Sequence, residues 1–487
     1  MLKTDVKIYQ NYINGVWLDS LSGETFESVN PADSNDTVAK FQASNKEDVE
    51  KAIDSASTAF ATWVQTPISK RAAILTKAAA ILEERADELA LELTREEGKP
   101  LGASKKEVSR SADTLRFYAV EGQTLTGETF PNDDPKMKVS TVREPLGVIS
   151  VITPWNFPIS IPARKIAPAL ITGNTVVFKP SSETPLIALR LVEALDEAGL
   201  PPGVLNFVTG HSSYIGASIV RHPAIRGVTF TGSTGAGESI HRSVSLTTRT
   251  QMELGGKNPL IVMEDADLEK AAKLTVNGGF SLSGQACTGT SRVIVLSSVK
   301  EAFITELVNQ VKNLKIGSGM ESGAVIGPLA NSKQLEKILQ YIQIGQEEGA
   351  DLVYGGKQLT ISPYDSGYFV EPAVFTNVNP TMRIAQEEIF GPVVSVIEVQ
   401  SYEEAISIAN DTEYGLSASI VTNNNSYIER FVNDIQSGTV KVNRTTTGNL
   451  INAPFGGLKK SSTSTFRESG RAGLDFFTQT KTVYIGY

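Results

Sequence analysis

Gly147-Val148-Ile149-Ser150-Val151-Ile152-Thr153-Pro154-Trp155-Asn156-Phe157-Pro158 is where the pattern of the chain changes. From Gly147 onward, short β-rich runs alternate with helical ones. Val148–Ile152, Val176–Phe178, Leu205–Val208 and Gly227–Thr231 read as strands, and Ile161–Ile171, Pro185–Ala198 and Tyr214–Arg221 as helices. Such alternation predicts parallel βαβ units in a doubly wound sheet. A second alternating region runs from Pro259-Leu260-Ile261-Val262 to about Val442, with helices at Leu268–Asn277, Lys300–Asn313 and Ser332–Glu348, and predicts a second α/β domain. Upstream, Tyr12-Ile13-Asn14-Gly15-Val16-Trp17 reads as a hairpin. Asn45–Val64, Ser69–Glu97 and Ser104–Glu121 carry apolar residues at helical spacing. Gly122–Glu144 breaks that pattern and ends in alternating Lys138–Val142, a projecting strand pair. The apolar tail Thr480–Ile485 needs a partner edge.

The 487 residues are 40% hydrophobic, enough for two or three domains with sizeable cores. With 45 Lys plus Arg against 54 Asp plus Glu, the net charge is −9, and no basic block follows a phosphate backbone, so nucleic acid is not an expected partner. Met1–Lys7 lacks the apolar core of a signal peptide, and no apolar run is long enough to cross a bilayer, so a cytoplasmic location is expected.

Phe280-Ser281-Leu282-Ser283-Gly284-Gln285-Ala286-Cys287-Thr288 holds the only cysteine. A lone thiol excludes an internal disulfide and a multi-cysteine metal site, leaving an inert core residue or a reagent. The surrounding Gly284-Gln285 and Thr288-Gly289-Thr290-Ser291 form a flexible, polar turn in which an exposed thiol can meet a carbonyl. A nucleophilic cysteine needs a base. None of His211, His222 and His241 sits in a context that suggests one. Glu253, at the end of a strand in Gln251-Met252-Glu253-Leu254-Gly255-Gly256, is either a general base with a raised pKa or a solvated surface glutamate.

Phe230-Thr231-Gly232-Ser233-Thr234-Gly235-Ala236-Gly237 follows a strand and opens a helix, where backbone N–H groups can hold a pyrophosphate. Its spacing is neither G-x-G-x-x-G nor a P-loop, so a plain helix cap reads equally well. Lys179, at the end of Val176–Phe178, lies at the edge where open α/β sheets bind ligands. Thr184-Pro185 reads as an N-cap with proline at the first helical position. Asn156, between Pro154 and Pro158, either points its amide at a developing oxyanion or stabilises the turn.

Together these motifs, with Glu387-Glu388-Ile389-Phe390-Gly391-Pro392 and Pro454-Phe455-Gly456-Gly457, resemble the aldehyde dehydrogenase superfamily along nearly the whole chain. The resemblance implies a Rossmann-like cofactor domain (residues 1–126 and 144–253), an α/β catalytic domain (254–465) and a small β oligomerisation arm with the tail (127–143 and 466–487). It implies a homodimer or homotetramer that oxidises a small-molecule aldehyde to a carboxylic acid with NAD or NADP, without a metal. Cys287 would attack the aldehyde and carry a thiohemiacetal and then a thioester. Asn156 and the Cys287 N–H would hold the oxyanion, and Glu253 would activate the hydrolytic water. Thr153, Trp155, Lys179, Ser182, Gly232, Ser233, Leu254, Glu388 and Phe390 would bind the cofactor, and Glu468 matches a second acid that relays protons in some members.

Departures from the family pattern inform specificity. Ser182 stands where NAD-preferring members carry Glu, which removes a charge that would repel a 2′-phosphate and favours NADP, although Glu183 is adjacent. Lys459-Lys460-Ser461-Ser462 ends in Ser where the pattern has Gly. Arg164 falls at a tunnel position and is either a fork for a substrate carboxylate or the partner of a structural acid. Phe455 would also line the substrate site. Thr465–Phe477 resembles 2-oxoglutarate semialdehyde dehydrogenases, so a carboxylated semialdehyde is expected, with succinate semialdehyde and aromatic aldehydes as alternatives. Ser281 stands where some semialdehyde enzymes have Arg. A cofactor-independent thiol esterase using Cys287 and Glu253 is the alternative of a different class.

Overall fold

The computed structural model describes residues 6–487; Met1–Asp5, part of the stretch read for a signal peptide, lies outside them. Five parallel strands form the centre of a seven-stranded sheet in the order Arg249–Glu253, Ile225–Thr231, Val148–Ile152, Thr175–Lys179, Leu205–Phe207, followed by Asn11–Ile13 and Val16–Leu18. The last two are the hairpin, antiparallel to each other and to Leu205–Phe207, with Asn14 and Gly15 both at positive φ as its tight turn demands. Successive strands run outward from Val148–Ile152 on one side, then the chain returns to its other side with Ile225–Thr231. That reversal opens a crevice at the carboxyl ends of these two strands.

Val148–Ile152 and Thr175–Lys179 are buried along their whole length, as their Val- and Ile-rich content requires. Helices Lys46–Trp63 and Ser212–Arg221 cover one face, and Ile68–Glu84, Leu101–Glu121, Ser160–Ile171 and Pro185–Glu197 supply the larger core on the other. The span read as one helix, Ser69–Glu97, is two, Ile68–Glu84 and Ala86–Glu97, broken at Arg85 by a backbone ψ of 12°. Thr184 does stand at the N-cap of Pro185–Glu197 but makes no side-chain cap. Buried Glu96 does this instead, accepting the Leu186 and Ile187 N–H groups at 2.7 and 2.9 Å.

A second seven-stranded sheet runs Asp351–Tyr354, Ala373–Thr376, Val393–Val399, Thr290–Leu296, Asn258–Val262, Ser417–Val421, Thr439–Val442, parallel except at its first edge. The tail strand Thr478–Gly486 pairs along its whole length with Met137–Pro145, which also pairs with Thr129–Phe130. No described helix is long and apolar enough to cross a membrane.

Candidate active site

Cys287 stands after a tight backbone turn. Leu282, Ser283 and Gly284 all have positive φ, at 54°, 55° and 70°. Two non-glycine residues in that region cost energy, and the surroundings hold them there. Ser283 Oγ donates to the Gly327 carbonyl at 2.8 Å, and the Ala330 N–H donates to Gln285 Oε1 at 3.0 Å. A Cβ on Gly284 would collide with the Gly391 carbonyl. The turn is therefore pinned, and the thiol is half-buried, where the sequence suggested a flexible, exposed setting. Burial pushes the Cys287 pKa up to about 12, and the nearby Glu388 carboxylate adds to the shift.

Asn156 is buried in the turn after Val148–Ile152, and its Nδ2 donates to the Gln285 carbonyl at 2.9 Å, leaving its second N–H available. Lys99 Nζ donates to the Asn156 carbonyl at 2.6 Å and pairs with Glu107 at 2.5 Å. Glu107 in turn accepts the Ile159 and Ser160 N–H groups, both at 3.2 Å. The asparagine is thus fixed from two sides.

Glu253 is 2% exposed, and neither carboxylate oxygen has a hydrogen-bond partner among the described residues, which excludes the solvated-glutamate reading. Burial first, then the Glu468 charge, raises its pKa well above the ordinary carboxylate value. Gly456 lets the carboxylate sit close, since a Cβ there would come within 2.8 Å of Glu253 Oε1. Sequence reasoning missed Lys165. It is fully buried in Ser160–Ile171, donates to Thr229 Oγ1 at 2.9 Å, pairs with Glu468, and feels the Glu253 charge. Its one sequence signal was a lysine beside Arg164 inside a largely apolar helical run.

Two cavities meet at the thiol. The first, of about 460 Å³, is lined by Thr153, Trp155, Asn156, Lys179, Ser182, Glu183, Gly232, Ser233, Glu388 and Phe390. The second, of about 550 Å³, is lined by Arg110, Arg164, Glu253, Ser281, Phe455 and Glu468. Cys287 and Leu254 line both. Every sequence-nominated site residue lines one cavity or the other. His211 lines the first and packs on the Phe26 ring at 5.2 Å, whereas His222 and His241 line neither.

The first cavity suits a dinucleotide. Lys179 is 3% exposed, yet among the described residues its ammonium donates only to the Pro180 carbonyl, at 3.0 Å, and burial lowers its pKa to about 8. A buried amine with spare donors matches sugar hydroxyls. Thr153 Oγ1 is also buried without a partner among the described residues. Ser233 caps the helix Thr234–Ser243 through the Ala236 N–H at 3.4 Å, so the cap and phosphate-loop readings are compatible. Glu388 Oε1 accepts the Gly256 N–H at 3.0 Å, and Phe390 meets Trp155 edge-on at 5.4 Å. Ser182 Oγ donates to the Gly210 carbonyl at 3.2 Å.

In the second cavity, both readings of Arg164 find support. Its guanidinium lies 3.8 Å from Glu468 and 5.8 Å from the Phe455 ring centre, and it still lines the cavity.

A sequence profile described as Aldehyde dehydrogenase family matches residues 17–483. The Alpha-ketoglutaric semialdehyde dehydrogenase of Bacillus subtilis (strain 168) is 46% identical over 483 residues, covering 99% of this chain and 99% of that protein. Among solved structures, betaine aldehyde dehydrogenase from Staphylococcus aureus in complex with NAD+ is 34% identical at a TM-score of 0.95, covering 98% of this chain and 95% of that one. 3,6-Anhydro-L-galactose dehydrogenase in complex with NADP is 37% identical, also at 0.95, covering 99% and 100%.

Proposed function

We propose, because this chain belongs to the aldehyde dehydrogenase family and is an NAD(P)-dependent aldehyde oxidoreductase, that its substrate is a carboxylated semialdehyde, 2-oxoglutarate semialdehyde first, oxidised through Cys287. The observation that carries the reading is Cys287 at the one junction of a dinucleotide-suited cavity and a cation-lined one. The name of the Bacillus subtilis relative supports the same substrate. A thiol esterase would have no use for the first cavity.

Cys287 Sγ attacks the aldehyde carbon once its proton has passed to water in the cavities it lines, which leaves Glu253 free for the later hydrolysis. The developing oxyanion takes hydrogen bonds from Asn156 Nδ2 and the Cys287 N–H, which are held in place before reaction, so little reorganisation is needed. Thr153, Trp155, Lys179, Ser182, Gly232, Ser233, Leu254, Glu388 and Phe390 would hold a nicotinamide cofactor, which would supply the hydride acceptor needed to take the carbon to the acyl level. Glu253, unpartnered and with a raised pKa, then takes a proton from the water that attacks the thioester. Lys165 and Glu468 offer that proton a route onward. Arg164 and Phe455 line the substrate's approach.

Ser182 supports a preference for NADP, and family resemblance of the paired arm strands supports a homodimer or homotetramer. Initial rates with 2-oxoglutarate semialdehyde, succinate semialdehyde, benzaldehyde and propanal, each with NAD and NADP, test the reading. The first two are expected to lead in kcat/KM with NADP favoured; a lead for benzaldehyde or propanal refutes the substrate assignment.

A further inference from the structure

Resting on the reading that the substrate carries a carboxylate, we propose that Arg110, in the helix Leu101–Glu121, receives that carboxylate, and that Arg164 does not act as its main partner. The two arginines line the same cavity, but their charges are not equally free. Arg164 has Glu468 at 3.8 Å and the Phe455 face at 5.8 Å. Glu468 is shared with Lys165, so Arg164 has a partner, though one it divides with a second cation. Lys99, also in the lining, is neutralised by Glu97 and Glu107 at 3.7 and 2.5 Å.

Arg110 forms no salt bridge among the described residues. Its Nη2 donates to the Asn449 carbonyl, one of five N–H donors that a guanidinium offers. It is half-buried, so water satisfies it incompletely, and burial followed by repulsion from Arg164 disfavours its charge against a smaller pull from Asp113. An anion beside the Arg110 guanidinium relieves both costs and meets the forked geometry that matches a carboxylate. Arg110 is thus a specificity residue of the tunnel.

The competing role is structural, with Arg110 pinning the loop around Asn449 to its helix. Steady-state kinetics on the holoenzyme separate the two, using 2-oxoglutarate semialdehyde and the uncharged pentanal with wild type, R110M, R110K and R164M. R110M is expected to raise KM for the semialdehyde by roughly 10–100-fold, as loss of a charge-assisted hydrogen bond does, with kcat nearly kept and a far smaller change on pentanal. R110K, which keeps charge without the fork, should recover part of the loss. R164M should affect both substrates alike. Equal losses on both substrates in R110M and R110K, or a selective loss only in R164M, would overturn the assignment. If R110M does not fold by circular dichroism, the same split in R110K decides. A wild type that prefers pentanal overturns the carboxylate reading itself. A selective wild type whose preference survives in R110M and R110K overturns Arg110 alone.

Discussion

Glu253 and Cys287 are both acids whose ionised forms burial disfavours, and this sets how the site responds to pH. For Glu253 a raised pKa means that the neutral form dominates to higher pH, and a neutral carboxyl cannot take a proton from water. The hydrolytic rate should therefore rise with pH through that raised pKa. Cys287, pushed up to about 12, is neutral over the neutral range without ligands. Alkylation of the cofactor-free enzyme by iodoacetamide should accelerate close to tenfold per pH unit from pH ~7 to ~10 without a plateau, since the thiolate is the nucleophile. A plateau near pH 8 would contradict the burial argument. Glu253→Gln should release about one equivalent of reduced cofactor per site in a rapid phase and then slow by roughly 10²–10⁴-fold, the usual worth of a general base. Stopped-flow absorbance separates the phases.

At the scale of elements, the turn Ser281–Gly284 holds the thiol where the two cavities meet, and it tolerates little change. Gly284→Ala adds a Cβ that strikes the Gly391 carbonyl at a positive φ, so a stability loss of about 2–4 kcal/mol is expected by urea denaturation. Glu96→Ala removes both acceptors of the Leu186 and Ile187 N–H groups and should cost about 1–3 kcal/mol by the same measurement. Elements of this kind were legible where local pattern decides. Val148–Ile152 and the N-terminal ends of Pro185–Glu197 and Lys300–Lys312 fall where periodicity, proline and charge place them. The break at Arg85 was not legible, because apolar spacing continues across it and only a backbone angle marks it. Nor was the Glu96 cap, whose partner lies 90 residues away in sequence.

Across the whole molecule, two mainly parallel sheets accompany two cavities that meet at one thiol, and the strands Met137–Pro145 and Thr478–Gly486 pair in a separate antiparallel sheet. Deleting Thr478–Tyr487 would expose an unpaired edge on Met137–Pro145, and light scattering should then show a changed oligomeric state or aggregation. The catalytic candidates were readable because motif order carries them. Strand order was not, since it depends on which edges meet. The charge state of the tunnel was not either: Arg164 is a conspicuous cation in sequence, yet its compensation by Glu468 arises from contact between residues 304 positions apart. Lys165 was hidden for the same reason, its function residing in its neighbours Glu468 and Thr229.

The central claim is that the aldehyde carbon becomes covalently attached to Cys287. Quenching Glu253→Gln after one turnover with 2-oxoglutarate semialdehyde and NADP, followed by intact-protein and peptide mass spectrometry, tests it most directly. The account predicts an acyl adduct on the peptide that contains Cys287, absent in Cys287→Ser. Turnover by Cys287→Ser at the wild-type rate, or an adduct confined to another residue, would contradict it.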